Sequence, residues 1–472
     1  MAEFVGVALA VAAVCTFVQF SARGLQQDDY YHIRAAHMLR TRGIERTFPW
    51  LEHTVFRDRN HDMHFLFHVL LIPFTFGNLV TGAKIAAVSF TTALAAATLW
   101  YLRRRGVGHE WFWVLLLVFG SSSFLTRLLS LRPIALSTLF LVLALLVLAE
   151  GRPVWLAPLG YAYTLSYSAF PLLLLLAVVH VGAVWIRERR LDPRPLLYAL
   201  GGVVAGLVFN PFFPNNLRVQ YVQIVRGSLL RSELLPNLEW MPLSSWALFL
   251  SAWGTILCVF LCLLWALWRG RRSSGHAAAV FLMASASLFG FLRYARGVDQ
   301  FVPFATVWSG LVVRFREGKH TRWAWLVLAA GLAVTAVLNV RTARVNLRAA
   351  DSADRSGAAE WLLNNSPEGS EVFLSSYGAF PELFFFNRHN VYTLGHDSLF
   401  LRDHDAALYA AYVDVVLLRG DPYPILKDDF GASYIHLDNT PQQARLYAYL
   451  SGRPDRFEPV FRDSSSALFA VR

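Results

Sequence analysis

Apolar and polar residues alternate along this chain in long blocks. Val5–Phe20, Ala83–Tyr101, Trp111–Phe124, Ile134–Leu148 and Trp246–Trp268 carry few or no charges. Several approach the roughly 20 residues that cross a bilayer as a helix. The basic clusters Arg103–Arg105, Arg187–Arg190, Arg269–Arg272 and Arg314–Arg322 fall between apolar blocks, and the positive-inside bias puts such clusters in the cytoplasm. Parity then predicts a cytoplasmic N-terminus and spans at 5–20, 83–102, 111–126, 132–149, 153–167, 170–186, 196–213, 243–268, 276–292, 299–313 and 323–340, about 11 in all. His64–Phe76 is too short to be one of them and contains Pro73. It reads as a re-entrant or interfacial helix on the outer face, which is allowed where protein surrounds it.

The expected fold class is thus a polytopic α-helical membrane protein with a small C-terminal extracytoplasmic α/β domain. The membrane domain is 1–340, with a long first external loop at 21–82, and the outer domain is 341–472. In that tail Ala358–Leu363 reads as helix, while Glu371–Ser375, Glu382–Asn387, Ser433–Leu437 and Ser466–Val471 read as strands, with Pro and Gly punctuation between. A segment of about 130 residues can bury a core of its own.

Composition agrees with a membrane protein. The chain is 56% hydrophobic and only 16% charged, where soluble domains average about a quarter charged. Its net charge of +11 is spread over short loop clusters, a pattern that fits contact with anionic lipid headgroups and argues against nucleic acid as a partner. Cys15, Cys258 and Cys262 all lie in apolar blocks, so no disulfide framework is expected. The first block has neither a basic flank nor a small-residue cleavage site, so it reads as an uncleaved anchor in the inner (plasma) membrane.

The polar segment Gln26–His68 carries the candidate chemistry, with Asp28, Asp29, His32, Asp58, His61, Asp62 and His64 in about 40 residues. Adjacent carboxylates at Asp28 and Asp29 repel, which raises the pKa of one unless a cation compensates. Either can serve as general base toward an acceptor, as a metal ligand near His32, or as the N-terminal cap of an amphipathic helix. Asp58, His61, Asp62 and His64 form a second group that reads as metal ligands, as a helix cap, or as hydrogen-bonding groups for sugar or acceptor. Asp28, Asp62 and His64 together are a candidate set for a divalent cation, magnesium or manganese.

The stretch Asp28-Asp29-Tyr30-Tyr31-His32-Ile33-Arg34 resembles the D-x-Y-x-x-x-R segment in the first external loop of the oligosaccharyltransferase catalytic subunit. More broadly the chain resembles the GT-C superfamily of polyprenyl-phosphate-dependent glycosyltransferases, including protein mannosyltransferases and lipid A aminoarabinose transferases. The resemblance implies a catalytic aspartate at Asp28, with Asp29 the alternative, and transfer from a polyprenyl-phosphate-linked sugar donor to a protein, lipid or glycan acceptor at the outer membrane face. It also implies that Arg293 and Arg296, cations on an external boundary that the positive-inside bias disfavours, bind the donor phosphate; otherwise they snorkel to headgroups. Arg127 and Arg132 follow the same logic less directly. His32, Asp62, His64 and Glu239 are expected to position sugar or acceptor, Glu239 by its likeness to the acidic residue of a mobile external loop. One departure stands out. Ser121–Arg132 has no acid, so an oligosaccharyltransferase-type metal motif in the second external loop is missing, as is the W-W-D signature. The alternative to a transferase is a lipid-linked-glycan transporter or a non-catalytic assembly protein, which would keep acids at mid-bilayer depth or no working base.

Overall fold

The computed structural model describes residues 2–227, 241–269, 273–313, 319–349, 351 and 354–472. The apolar blocks fold as helices close to their expected limits. α1 (Ala2–Gln19) leads to α2 (Gln27–Arg42) and α3 (Phe65–Leu71), followed by α4 (Leu79–Arg104), α5 (Glu110–Phe119), α6 (Ser122–Leu129) and α7 (Ile134–Ala149). Next come α8 (Leu156–Ser166), α9 (Pro171–Glu188), α10 (Arg194–Val208) and α11 (Asn215–Gln220). The bundle closes with α12 (Ser245–Arg269), α13 (Gly275–Arg293), α14 (Val298–Val312) and α15 (Lys319–Ala349).

Five of these, α4, α9, α12, α13 and most of α15, are long and apolar enough to cross a bilayer, and α5 with α6 makes a sixth if the bent pair is one span. α1, α7 and α10 are shorter apolar helices, and α8 has 11 residues. The polytopic membrane architecture therefore holds, but a count of 11 spans does not follow from these lengths.

The expected re-entrant stretch is α3 followed by a tight turn at Ile72–Thr75 that contains Pro73. Proline restricts the preceding residue and cannot donate to the helix ladder, so the helix tightens and stops there.

The two ends of the bundle differ in character. At one end Arg103 pairs with Glu3 and Glu110, Arg104 lies 3.9 Å from Glu150, and Glu188 accepts the Gly275 amide at 2.9 Å. At the other end Lys84 donates to the carbonyls of Ala22 and Arg23 at 2.7 and 3.0 Å, closing the chain after α1. Asp351 accepts the amides of Arg23 and Gly24 at 3.0 and 2.7 Å, so the exit from α15 meets the exit from α1. The basic clusters at 103–105 and 187–190 are at the first end; α2 and the tail are at the second.

In the middle, two interrupted helices satisfy each other. α5 and α6 meet at 80° around Gly120, and α12 departs from helical geometry at Ala252. The carbonyls freed by the bend find partners: Gly120 accepts the Thr255 amide at 3.2 Å and Phe119 accepts Asn339 Nδ2 at 2.8 Å. Ser121 Oγ donates to the Ser251 carbonyl at 2.7 Å. Broken backbone at this depth is tolerated only with such internal partners. Gly254 permits the close approach, since a Cβ there would lie 2.8 Å from the Gly120 oxygen.

The tail folds as α16 (Ser356–Asn365), β1 (Glu371–Leu374), α17 (Phe380–Phe386), β2 (Val391–Tyr392), α18 (Leu399–His404), α19 (Ala406–Leu417), β3 (Tyr434–Asp438), α20 (Ala444–Ser451), β4 (Phe457–Arg462) and β5 (Ser466–Val471). The sheet order is β2-β1-β3-β5-β4, parallel where β1 pairs with β2 and β3, antiparallel elsewhere. The expected strand at Glu382–Asn387 is instead α17. Its run Phe380-Pro381-Glu382-Leu383-Phe384-Phe385 is buried throughout, so it lacks the alternation of a half-buried strand. Pro381, in the first turn, presets helical φ. The tail's core is not its own: Phe48, Leu51, Val55, Phe56, Val219 and Val222 are packed into it, and Leu51 bridges to Tyr392 on the β2 edge.

Inside the tail Arg355 is buried between two acids, donating from Nε to Asp438 at 2.7 Å and from Nη1 to Glu382 at 3.1 Å. Burial pushes the Glu382 carboxyl up to about 7 although Arg355 pulls the other way. Arg355→Met leaves two carboxylates without their cation, and thermal unfolding of the purified protein should show a loss of about 3–5 kcal/mol; a loss under about 1 kcal/mol would mean the pair is not structural.

Candidate functional site

α2 stands at the second end of the bundle, and its first turn carries the two aspartates. They do different things. Asp29 is fully buried; it accepts the Leu131 amide at 2.7 Å and reaches back to the Gln26 amide at 3.3 Å. Burial pushes its carboxyl up to about 8, with the Arg132 charge opposing and the Asp28 charge adding. Asp28, by contrast, has a side chain 41% exposed and is paired with the Arg132 guanidinium. One helix turn thus presents one carboxyl to protein and one to solvent.

Three histidines gather beside it. His32 Nδ1 and His68 Nε2 are 2.9 Å apart, and one ligand nitrogen from each of His32, His64 and His68 lies within 4.8 Å of the others. The His32 and His64 rings are nearly perpendicular at 4.9 Å. Asp62 stands behind this group: Oδ2 is 2.6 Å from His68 Nδ1, and Oδ1 accepts the His64 amide at 2.9 Å. A carboxylate on the far nitrogen fixes the ring and its tautomer, as behind metal-bound histidines. Two nitrogens on one tetrahedral ion would be about 3.3 Å apart, so this donor set fits a zinc-class ion and equally an Asp62–His68–His32 hydrogen-bonded chain. All-imidazole ligation does not suit magnesium.

The expected metal trio is therefore not assembled. His64 is in the group, Asp62 contacts His68 from outside it, and Asp28 is taken by Arg132. Asp58 is exposed and lies near Arg57.

Arg296 and Arg293 also separate. Arg296 donates to the Tyr167 hydroxyl, and the Tyr167 ring packs on His64 at 5.7 Å, which connects Arg296 to the histidine group. Arg293 is exposed at the end of α13, with its guanidinium 5.4 Å from the Tyr294 ring. Arg127 forms a two-pronged pair with buried Asp299, at 2.6 and 2.8 Å. Glu239 lies outside the described residues.

The tail covers the other side of α2. Tyr30 meets Phe385 at 5.1 Å, Arg34 lies over the same ring at 4.5 Å and donates to the Phe385 carbonyl at 2.6 Å, and Tyr31 meets His396 at 4.3 Å. Burial holds the imidazoles neutral: His64 falls to about 3, helped by the His68 charge, and His61 and His396 fall to about 4 although nearby carboxylates oppose this. Asp403 and Asp405 serve structure. Asp403 binds Arg218 and Arg226, and Asp405 caps α19 through the Ala407 and Leu408 amides.

Sequence reasoning passed over His68 and Tyr167, and it took His396-Asp397 for a metal-like pair in an exposed loop, whereas His396 packs among the rings of Tyr31, Phe56 and Phe380. For His68 a signal existed, since His64 and His68 are four apart on a helix and so share a face. Tyr167 comes from a distant segment and gave none.

No protein-family model matches this chain, and no curated protein sequence does either. Its fold is similar to that of the oligosaccharyltransferase of Archaeoglobus fulgidus in the apo form, with a TM-score of 0.65 over 92% of this chain and 69% of that one, at 12% identity. The same figures hold for that enzyme tethered by a disulfide to an acceptor peptide containing the NVT sequon. The fold is also similar to ArnT from Cupriavidus metallidurans bound to undecaprenyl phosphate, with a TM-score of 0.60 over 99% of this chain and 98% of that one, at 15% identity.

Because His61, His64 and His396 have lowered values in the folded state, the unfolded chain binds more protons below about pH 6.5. Their contribution to stability is complete above that pH and is lost as pH falls toward 4. The melting temperature should drop between pH 7 and 4.5, and His396→Asn should flatten that drop. An unchanged slope in the variant would rule out the neutral buried His396.

Proposed function

We propose that this chain, which has the GT-C fold of its structural neighbours, is a membrane glycosyltransferase that uses a polyprenyl-phosphate-linked sugar at the outer face. The observation that carries this is the first turn of α2, where a partly exposed carboxylate, Asp28, is held by a guanidinium at the end of the bundle opposite the basic clusters. Asp29 is buried and its carboxyl is kept largely protonated near neutral pH. That supports Asp28 as the base and Asp29 as the group that fixes the Leu131–Arg132 turn.

In this scheme Asp28 takes a proton from the acceptor as its nucleophilic atom bonds to the anomeric carbon. The bond from that carbon to the phosphate oxygen breaks, and the electron pair leaves with the phosphate. Arg296, and Arg132 where it faces Asp28, supply the positive charge that stabilises the departing oxygen. Arg293, exposed at the same boundary, is suited to headgroup contact. His32, His64 and His68 are the residues that would hold a divalent ion, whose charge would offset that of the phosphate. Residues 354–472 would roof the site, on the extracytoplasmic side if the basic end faces the cytoplasm.

Asp28→Asn should lower sugar transfer by about 10²–10⁴-fold while native mass spectrometry still finds bound polyprenyl phosphate; wild-type transfer by this variant would refute the scheme. Metal analysis of the purified protein should find about one zinc-class ion per chain if the histidines are ligands, lost in His68→Ala. Its absence at saturating zinc would leave the Asp62–His68–His32 hydrogen-bonded chain as the role of these residues.

A further inference from the structure

Beside the histidine group, the first external loop meets the helix that starts at Asn215. Asn215 Nδ2 donates to the Arg59 carbonyl at 2.5 Å, and the rings of His61 and Phe65 pack on Phe212 at 5.5 and 6.0 Å. Val219 and Val222 of the helix share a core with Val55 and Phe56 of the loop. On this helix and at His61 several polar atoms are buried with nothing to bind, although Asn216 Nδ2 donates to the Leu207 carbonyl at 2.8 Å. Among the described residues, both ring nitrogens of His61, Oδ1 of Asn216, and Oε1 of Gln220 and Gln223 have no hydrogen-bond partner. His61, Asn216 and Gln220 are only 3%, 0% and 5% exposed.

Native structures leave few such groups, since each costs about 1–3 kcal/mol. Asn216 and Gln220 stand at i and i+4, one stripe of a helix, and Gln223 follows in the next turn. The stripe runs into a π-helical turn at Tyr221–Arg226, a geometry that concentrates at functional sites.

The chemistry of the unpartnered atoms selects the ligand. Three amide oxygens accept and cannot donate, and a neutral imidazole offers one donor and one acceptor. This set repels phosphate, and the cations nearest along the helix, Arg218 and Arg226, are engaged by Asp403. It is equally unsuited to a prenyl chain. What complements it is a rigid, neutral frame bearing several hydroxyl donors.

We propose that His61, Asn216, Gln220 and Gln223 form a hydroxyl-binding subsite for the carbohydrate part of the substrate, a deduction that rests on the transferase reading above. The sugar can belong to the donor or to a glycan acceptor. His61 is three residues from His64, so the subsite adjoins the histidine group along the chain.

The test uses the full chain in nanodiscs and the double variant Gln220→Met, Gln223→Met, which keeps side-chain length and removes the amides. Binding is measured for undecaprenyl phosphate without sugar, for the same lipid bearing a hexose, an N-acetylhexosamine or a pentose, and for the corresponding methyl glycosides. Wild type should prefer at least one sugar-bearing probe. The variant should bind that probe about tenfold more weakly, bind the sugar-free lipid unchanged, and melt no lower, because loss of an unsatisfied buried carbonyl does not destabilise. A loss confined to the lipid-linked sugar assigns the subsite to the donor, and one confined to the glycosides assigns it to the acceptor. A variant that keeps the wild-type preference overturns the proposal, as does a wild type that prefers no sugar probe. A chain that binds sugar through these amides but transfers none contradicts the transferase reading and leaves the subsite standing.

Discussion

The structure depends on α2 being gripped from two sides. Its first turn is bonded into the bundle, where Asp29 accepts the Leu131 amide and Arg132 meets Asp28. Its opposite face is set in aromatic rings of the tail, where Tyr30 and Arg34 meet Phe385. A short helix outside the membrane has little stability of its own, and burial between two layers replaces what propensity lacks. The result is a carboxylate fixed in position while still open to solvent, the kind of preorganisation that positional catalysis needs.

The histidine group depends on the same grip. His32 is on α2, His64 and His68 begin and continue α3, and Tyr31 beside His32 meets His396 of the tail. With aromatic rings and α2 excluding water, protonation of these imidazoles is expensive. Burial would raise the Asp62 carboxyl, and it is outweighed by the charge and hydrogen bond of His68 and by the His64 ring and amide. An imidazole set backed by a carboxylate can either ligate or relay, and the geometry serves both.

The membrane helices were legible because uninterrupted apolar blocks of such length have few other uses. The clustering of polar side chains after α1 was legible because it is local in sequence: Asp28, His32, Asp62 and His64 lie within one segment and do come close to the same end of the bundle. Long-range partners were not legible. Tyr167 stands opposite His64, more than a hundred positions earlier, and nothing in its neighbourhood marks it, while Arg132 was legible as an external cation but not as the partner of Asp28. α17 was misread because a run buried on every side has no period, and only Pro381 spoke for a helix. The tail looked self-sufficient by length, yet its core takes in Phe48, Leu51 and Phe56 from the far end of the chain.

That shared core sets an order of events in biosynthesis. The loop that carries Asp28 is made early, but Leu51 can bridge to Tyr392, and Tyr30 can meet Phe385, only after the last stretch of polypeptide has been made. Until then the loop has no second wall and its histidines stay wet. A nascent chain arrested before residue 380 would carry every side chain of that loop and still lack the aromatic rings that bury it.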